Sequence, residues 1–212
     1  MSANDPIVIV SAMRTPMGGF MGSLSDVASP TLGATAIAAA VEAANLEKDQ
    51  IDEVIMGCVL PAGLKQAPAR QAALGAELAL STVCTTINKV CGSGMKATMM
   101  AHDSLAVGAI DVAIAGGMES MTNAPYMLPK GRQGMRMGHG QVLDHMMMDG
   151  LENAYDGKAM GCFAQDTADA SGFTREDMDT FALTSLERAN AAINSGAFAN
   201  EVAPVTVKTR RG

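Results

Sequence analysis

A chain of 212 residues with 48% apolar and 17% charged side chains can bury a substantial core and reads as soluble and globular, one domain or two small ones. A formal charge of −7, no Trp, two Tyr and five Phe argue against nucleic-acid binding, which needs cationic groups for phosphates and aromatic faces for bases. No window reads as a membrane span, MSANDPIVIV lacks the build of a secretory signal, and four cysteines without a CxxC pair suit neither a disulfide framework nor a zinc site, so a reducing cytoplasm is the simplest compartment.

Ile7 to Ser11 reads as a strand, Pro30 to Asn45 as a helix and Asp52 to Val59 as a second strand. A helix around Ala67 to Leu78, a short strand through TTINKV, a helix after Cys91 and a strand from Asp111 to Ala115 follow, closed by Gly116 and Gly117. This alternation predicts an α/β fold, a layered βαβ sheet whose right-handed crossovers put helices on both faces. The helix after Cys91 is apolar on nearly every side, which predicts burial, with His102 hydrogen-bonded inside it.

From Met118 to Gly150 the composition shifts to Met, Gly and Pro, which fits long ordered loops better than a second sheet. The run Met146 to Met148 reads as adaptable packing, and His139 and His145 as loop residues without a catalytic part. Lys130, Arg132 and Arg136, and again Lys208, Arg210 and Arg211, read as solvated surface. Thr174 to Asp177 forms a capping box with Asp in place of Glu, and Met178, Phe181, Ala182, Ser185, Leu186 and Ala189 keep helical spacing up to a stop at Ser195-Gly196.

Asn88 to Ala97, NKVCGSGMKA, is the segment that carries chemistry. It puts Cys91 between a strand and a helix, at the carboxyl end of a strand, where open α/β sheets bind ligands. The unpaired N–H groups of a helix start favour an anion, hence a thiolate, and Gly92 and Gly94 let the chain turn sharply. Cys58 and Cys84 lie in apolar strand-like runs and are assigned to the core, while Cys162 has no clear place. MGGFMG and GSG lack the context of a phosphate-binding fingerprint.

VCGSG, the downstream AGGMESM and the opening IVIVSAMRTPMGGF together resemble the thiolases, the acetyl-CoA C-acetyltransferases. The resemblance continues through MGCFAQDTAD and TREDMDTFALTSLERANAAINSG and so covers nearly the whole chain. It implies a thiolase-like N-terminal α/β domain over residues 1–120 lacking its last strand, and part of an inserted loop domain over 121–212. Family members are about double this length, with two similar halves. The strand at Asp111 to Ala115 is therefore expected to have an unpaired edge and its neighbouring helix to be partly uncovered.

For chemistry, the resemblance makes Cys91 the nucleophile that accepts an acyl group from acyl-CoA, its own N–H helping to hold the thioester oxyanion. It places Leu151 and Met160 along the pantetheine and acyl pocket, with coenzyme A thioesters as substrates and no separate cofactor or metal. Ala159 stands where short-chain biosynthetic members often carry His, which leaves the acyl-chain preference open. The family's NEAF-like, GHP and CxG segments do not occur in this chain, so a C-terminal half is expected to supply the activating His and the second Cys. Related bacterial thiolases are dimers of dimers joined by a loop corresponding to about Ala124 to Gly140, which implies a homo-oligomer. A noncatalytic thiolase-like binding module and a ketoacyl synthase of the same superfamily are the alternatives, with AGGMESM and the inserted region favouring thiolase over the latter.

Overall fold

The computed structural model describes residues 6–208. Three parallel strands, β1 (Glu53–Gly57), β2 (Val83–Ile87) and β3 (Ala113–Gly117), form one sheet in the order β2-β1-β3. The central strand pairs in register with both neighbours, Glu53 opposite Val83 and Ala113, Gly57 opposite Ile87 and Gly117. Such buried parallel pairing explains why EVIMG is a near-continuous apolar run rather than an alternating one.

Successive side chains of β1 point to opposite faces, and each face carries its own core. Val54 and Met56 join Ile37 and Val41 of α1 (Ser29–Ala43), Ala69, Ala72 and Ala73 of α2 (Pro68–Gly75), and Met118. Ile55 faces the other way, onto Ala97 and Ala101 of α3 (Ser93–Ala106). Helices therefore cover both faces, as the sequence predicts. Small residues let α1 and α2 approach closely: a Cβ added at Gly75 would come within 2.9 Å of Ala34 Cβ, and one at Gly33 within 3.1 Å of Ala72 Cβ.

Both ends of the sheet are stitched by side chains. At the amino ends, the Asp52 carboxylate accepts the N–H groups of Asp111 and Val112 at 2.8 and 3.0 Å, and the buried Thr82 hydroxyl donates to Ile51 O. At the carboxyl ends, Glu119 accepts the N–H groups of Val59 at 2.7 Å and Leu60 at 3.1 Å.

Three expectations are corrected. Ile7 to Ser11 forms no strand: Ile7 to Val10 are exposed, Ile9 by 82%, and the half-buried Ser11 donates its hydroxyl to Ala40 O of α1. A cavity of about 680 Å³, lined in part by residues 7–15, α1, α3 and the edge strand β3, occupies this side of the sheet. A β-branched run favours extended backbone, but pairing is a tertiary event that composition does not fix.

The second correction concerns the all-round burial read from the composition of α3: the helix buries only Ser93, Ala97 and Ala101, a stripe at spacing i, i+4, and leaves Met95 74% and Met99 54% exposed, which agrees instead with the partly uncovered helix that the resemblance implies. An apolar helix is buried all round only where a second layer covers it, and the sheet covers one side. The third follows from it: the His102 side chain is exposed, 3.5 Å from Asp103, rather than inside a core.

Beyond β3 the chain is mostly loop, with a short antiparallel pair β4 (Tyr126–Met127) and β5 (Leu143–Asp144) that the sequence did not announce. Lys130, Arg132 and Arg136 are exposed; Lys208 is exposed, while Arg210 and Arg211 lie outside the described residues. Two helices follow, α4 (Met160–Ser171) and α5 (Arg175–Asn194). The α5 capping box forms as read, with the Thr174 hydroxyl accepting Asp177 N–H and Asp177 accepting Thr174 N–H. Near the end of the described chain, Arg14 pairs with Glu201 at 2.7 Å and lies 4.9 Å over the Phe198 ring.

Candidate active site

The carboxyl ends of β1, β2 and β3 converge on one rim, where Cys58 N–H bonds to Ile87 O and Met118 N–H to Gly57 O. Cys91 lies on this rim, four residues beyond β2 and just before Gly92, which caps α3. It is exposed, as a thiol that must reach a substrate has to be. It stands at the amino end of a 14-residue helix, where the N–H groups of Gly92 and Ser93 are bonded to Lys89 O and Val90 O at 3.1 Å.

The turn that delivers Cys91 is unusual. Val90 has φ of 47°, a left-handed conformation that a β-branched residue adopts only under constraint. Asn88 Oδ1 accepts the Val90 N–H at 2.8 Å, and the buried Ser93 hydroxyl accepts Lys89 N–H at 2.8 Å while donating to Val90 O at 2.6 Å. Gly57 makes room for this: a Cβ there would lie 2.5 Å from Ser93 Cβ.

The other cysteines divide as their surroundings dictate. Cys58 is buried, and burial together with the Glu119 carboxylate at 3.8 Å pushes its thiol up to about 11, so it is inert. Cys84, read from sequence as a core residue, is only half-buried, beside the Arg70 guanidinium at 3.9 Å. Cys162 is exposed in the first turn of α4.

Leu151 and Met160 stand on either side of a closed loop. Glu152 and Ala159 form an antiparallel bridge, and Asn153 N–H donates to Lys158 O at 2.8 Å, so the two residues flank the neck of the loop between them. Leu151 is half-buried at the end of a π-helical turn, Met147–Leu151, and Met160 is 44% exposed at the first position of α4. Neither residue, nor Cys91, lines the cavity beside residues 7–15.

His145 is the residue that the sequence understated. It is 4% exposed, its Nδ1 lies 2.6 Å from Asp149 Oδ2, and its Nε2 accepts Ala62 N–H at 3.4 Å. This arrangement fixes the turn that ends at Leu151 against the loop after β1, where Gly150 also packs toward Leu60. The spacing of His145 and Asp149, one helical turn apart, was the signal available in the sequence. With both ring nitrogens engaged, His145 serves as an anchor. His102 has Asp103 as its neighbour and His139 is exposed, and among the described residues no group of three His, Cys, Asp or Glu side chains is arranged to hold a metal ion.

Residues 7–212 match the model of the thiolase N-terminal domain. The chain is 50% identical over 206 residues to acetyl-CoA acetyltransferase 2 of Arabidopsis thaliana, covering 97% of this chain and 51% of that protein. It is 50% identical over 204 residues to the mitochondrial acetyl-CoA acetyltransferase of Bos taurus, covering 96% of this chain and 48% of the relative. The acetyl-CoA acetyltransferase of Pseudomonas aeruginosa is 45% identical over 206 residues, covering 97% and 52%. The chain thus spans about half the length of the curated relatives it matches.

Proposed function

Because this chain belongs to the thiolase family, we propose that it carries the nucleophilic half of an acyl-CoA acyltransferase, with Cys91 as the acyl acceptor. The observation that carries the reading is the placement of an exposed thiol on a constrained turn at the start of α3, beside the carboxyl ends of three parallel strands.

In the proposed reaction the Cys91 thiol gives its proton to a base, the thiolate attacks the thioester carbonyl of acetyl-CoA, the bond from that carbon to the coenzyme A sulfur breaks, and that proton is passed to the departing coenzyme A. The Cys91 N–H stabilises the negative oxygen of the tetrahedral intermediate. A second acetyl-CoA, deprotonated next to its carbonyl, then attacks the acetyl-cysteine, forming acetoacetyl-CoA and releasing the Cys91 thiolate. Leu151 and Met160 form part of the wall along which the pantetheine and acyl group lie.

That second step needs a base. His145 is committed to Asp149 and Ala62, and among the described residues neither His102 nor His139 has a partner that would orient it on Cys91. We therefore assign the activating His and a second, acid-base Cys to a C-terminal half, in the same polypeptide or a separate chain. The complete protein is proposed to be a dimer of dimers acting on acyl-CoA and coenzyme A in the cytoplasm. Free cysteines suit that compartment, and among the described residues no helix is long and apolar enough to cross a membrane.

Thiolysis of acetoacetyl-CoA, followed by loss of its enolate absorbance, tests the division of labour. The 212-residue chain alone should turn over negligibly, and addition of a polypeptide bearing GHP and CxG segments should restore turnover. Full activity of this chain by itself would refute the assignment. The exposed apolar positions Met95 and Met99 favour a second reading, a noncatalytic module that docks a partner on α3. In that case partner binding survives Cys91→Ala and no acyl transfer is found.

A further inference from the structure

We infer that Ser93 is a positioning residue for Cys91, its hydroxyl acting as a clamp that holds the Val90 peptide in a left-handed turn and so aims the thiol. The inference rests on the reading of Cys91 as the nucleophile, and it concerns a residue whose side chain touches no substrate.

The geometry has three parts. Ser93 is 5% exposed, so its hydroxyl needs protein partners, and both lie in the turn: Lys89 N–H donates to it at 2.8 Å and Val90 O accepts from it at 2.6 Å. Those two contacts bracket the peptide between Lys89 and Val90, where φ of Val90 is 47°. A branched side chain at such an angle relaxes to the β or right-handed region unless its surroundings forbid it. Relaxation would swing the following residue, Cys91, away from the α3 N-terminus.

The third part is the wall behind the clamp. Ser93 Cβ packs on the Gly57 backbone, and the carbonyl of Gly57 is bonded to Met118 N–H, so Ser93 is backed by the rim of the sheet rather than by a mobile side chain. Asn88 contributes on the solvent side through its bond to Val90 N–H, but it is exposed and water competes for it. The buried hydroxyl is therefore the protected side-chain element of the turn, added to the backbone bonds of Gly92 N–H to Lys89 O and Ser93 N–H to Val90 O at 3.1 Å. Its spacing, two residues after the cysteine, looks in sequence like an ordinary small residue at a helix start.

The test uses the full chain and the rate of iodoacetamide alkylation at Cys91 divided by that at Cys162, read by peptide mass spectrometry. Cys162 is exposed in α4 and acts as an internal reference for reagent and pH. Ser93→Ala should lower the ratio about tenfold, because the strained turn loses both bonds of its buried hydroxyl and keeps only the exposed Asn88 bond and the backbone bonds of Gly92 N–H to Lys89 O and Ser93 N–H to Val90 O. Glycine adopts positive φ without a steric penalty, so Val90→Gly combined with Ser93→Ala should recover at least half of that loss on a logarithmic scale.

An unchanged or raised ratio in Ser93→Ala overturns the clamp, as does a lowered ratio that Val90→Gly fails to rescue. If Ser93→Ala does not fold, the double variant is compared with Val90→Gly alone, where a ratio within about threefold supports the clamp and a larger loss refutes it. Acetyl transfer from acetyl-CoA to Cys91 in the unmodified chain is scored separately: its failure would remove the proposed function while leaving the alkylation ratio a valid measure of the turn.

Discussion

Gly57→Ala perturbs the junction between the sheet and the turn that carries Cys91 more directly than any change at Cys91 itself. The new Cβ would lie 2.5 Å from Ser93 Cβ, 3.0 Å from Ser93 C and 3.1 Å from Gly94 N. Ordinary carbon contacts are about 3.5–4.0 Å, so the closest pair is short by about 1 Å. None of the three neighbours is the end of a flexible side chain, and two are backbone atoms, so relief requires the start of α3 to move off the sheet. Overpacking costs about 1–3 kcal/mol, and this case belongs at the upper end. At about 2–4 °C per kcal/mol for a chain of this size, the melting temperature should fall by about 6–12 °C. Cys91 moves with the helix, and a misplacement of about 1 Å at a reacting group is worth about 100-fold in rate. Far-UV circular dichroism melting and the rate of Cys91 acetylation read the two effects. Gly116→Ala is the matched control, because its Cβ would meet only Met56 Sδ at 3.3 Å and Cε at 3.6 Å, the movable end of a side chain. A Gly57→Ala protein that melts like its parent and reacts at the parental rate would refute the close approach.

Thiol reactivity should follow the environment of each sulfur. Cys58, at about 11 and buried, is about 0.1% ionised at pH 8 and should resist iodoacetamide under conditions that label Cys91 and Cys162 completely, as quantitative peptide mapping would report. Glu119→Gln should bring the Cys58 thiol back toward its ordinary value and weaken two charge-assisted bonds to Val59 and Leu60, lowering stability by about 1–3 kcal/mol in urea titrations. The Asp52 carboxyl is held below its usual value by the N–H groups of Val112 and Asp111, so its contribution is present above the unfolded value of about 3.9 and is lost as pH falls through the lower folded one. Asp52→Asn should accordingly flatten the acid limb of a stability-pH curve. Thr174→Ala removes the α5 cap and should cost about 1 kcal/mol by the same melts.

Local rules carried much of the fold. The apolar run at Glu53 to Gly57, the proline at the start of α1 and the capping box at Thr174 are patterns that act within a few residues, and each produced the element expected. Ile7 to Ser11, and the all-round burial read from the composition of α3, went differently because pairing and coverage depend on what stands opposite, which no local pattern encodes. At the candidate site, the glycines around Cys91 announced a turn, but the strain sits on Val90, and no composition rule places a valine at positive φ. His145 looked like a loop residue because its burial arises from the loop after β1, more than 80 positions earlier, folding over it. The role of Gly57 was equally hidden, since its constraint is the Ser93 backbone and side chain rather than its own dihedral angle.

The central claim, that Cys91 accepts the acyl group, is tested most directly by incubating the chain with acetyl-CoA and mapping the product by intact-mass and peptide mass spectrometry. A single hydroxylamine-labile acetyl group should appear on Cys91, slowly in the absence of an activating base, and should vanish in Cys91→Ala. Acetyl found on Cys162 with Cys91 unmodified, or no thioester at any cysteine after prolonged exposure, would contradict the account.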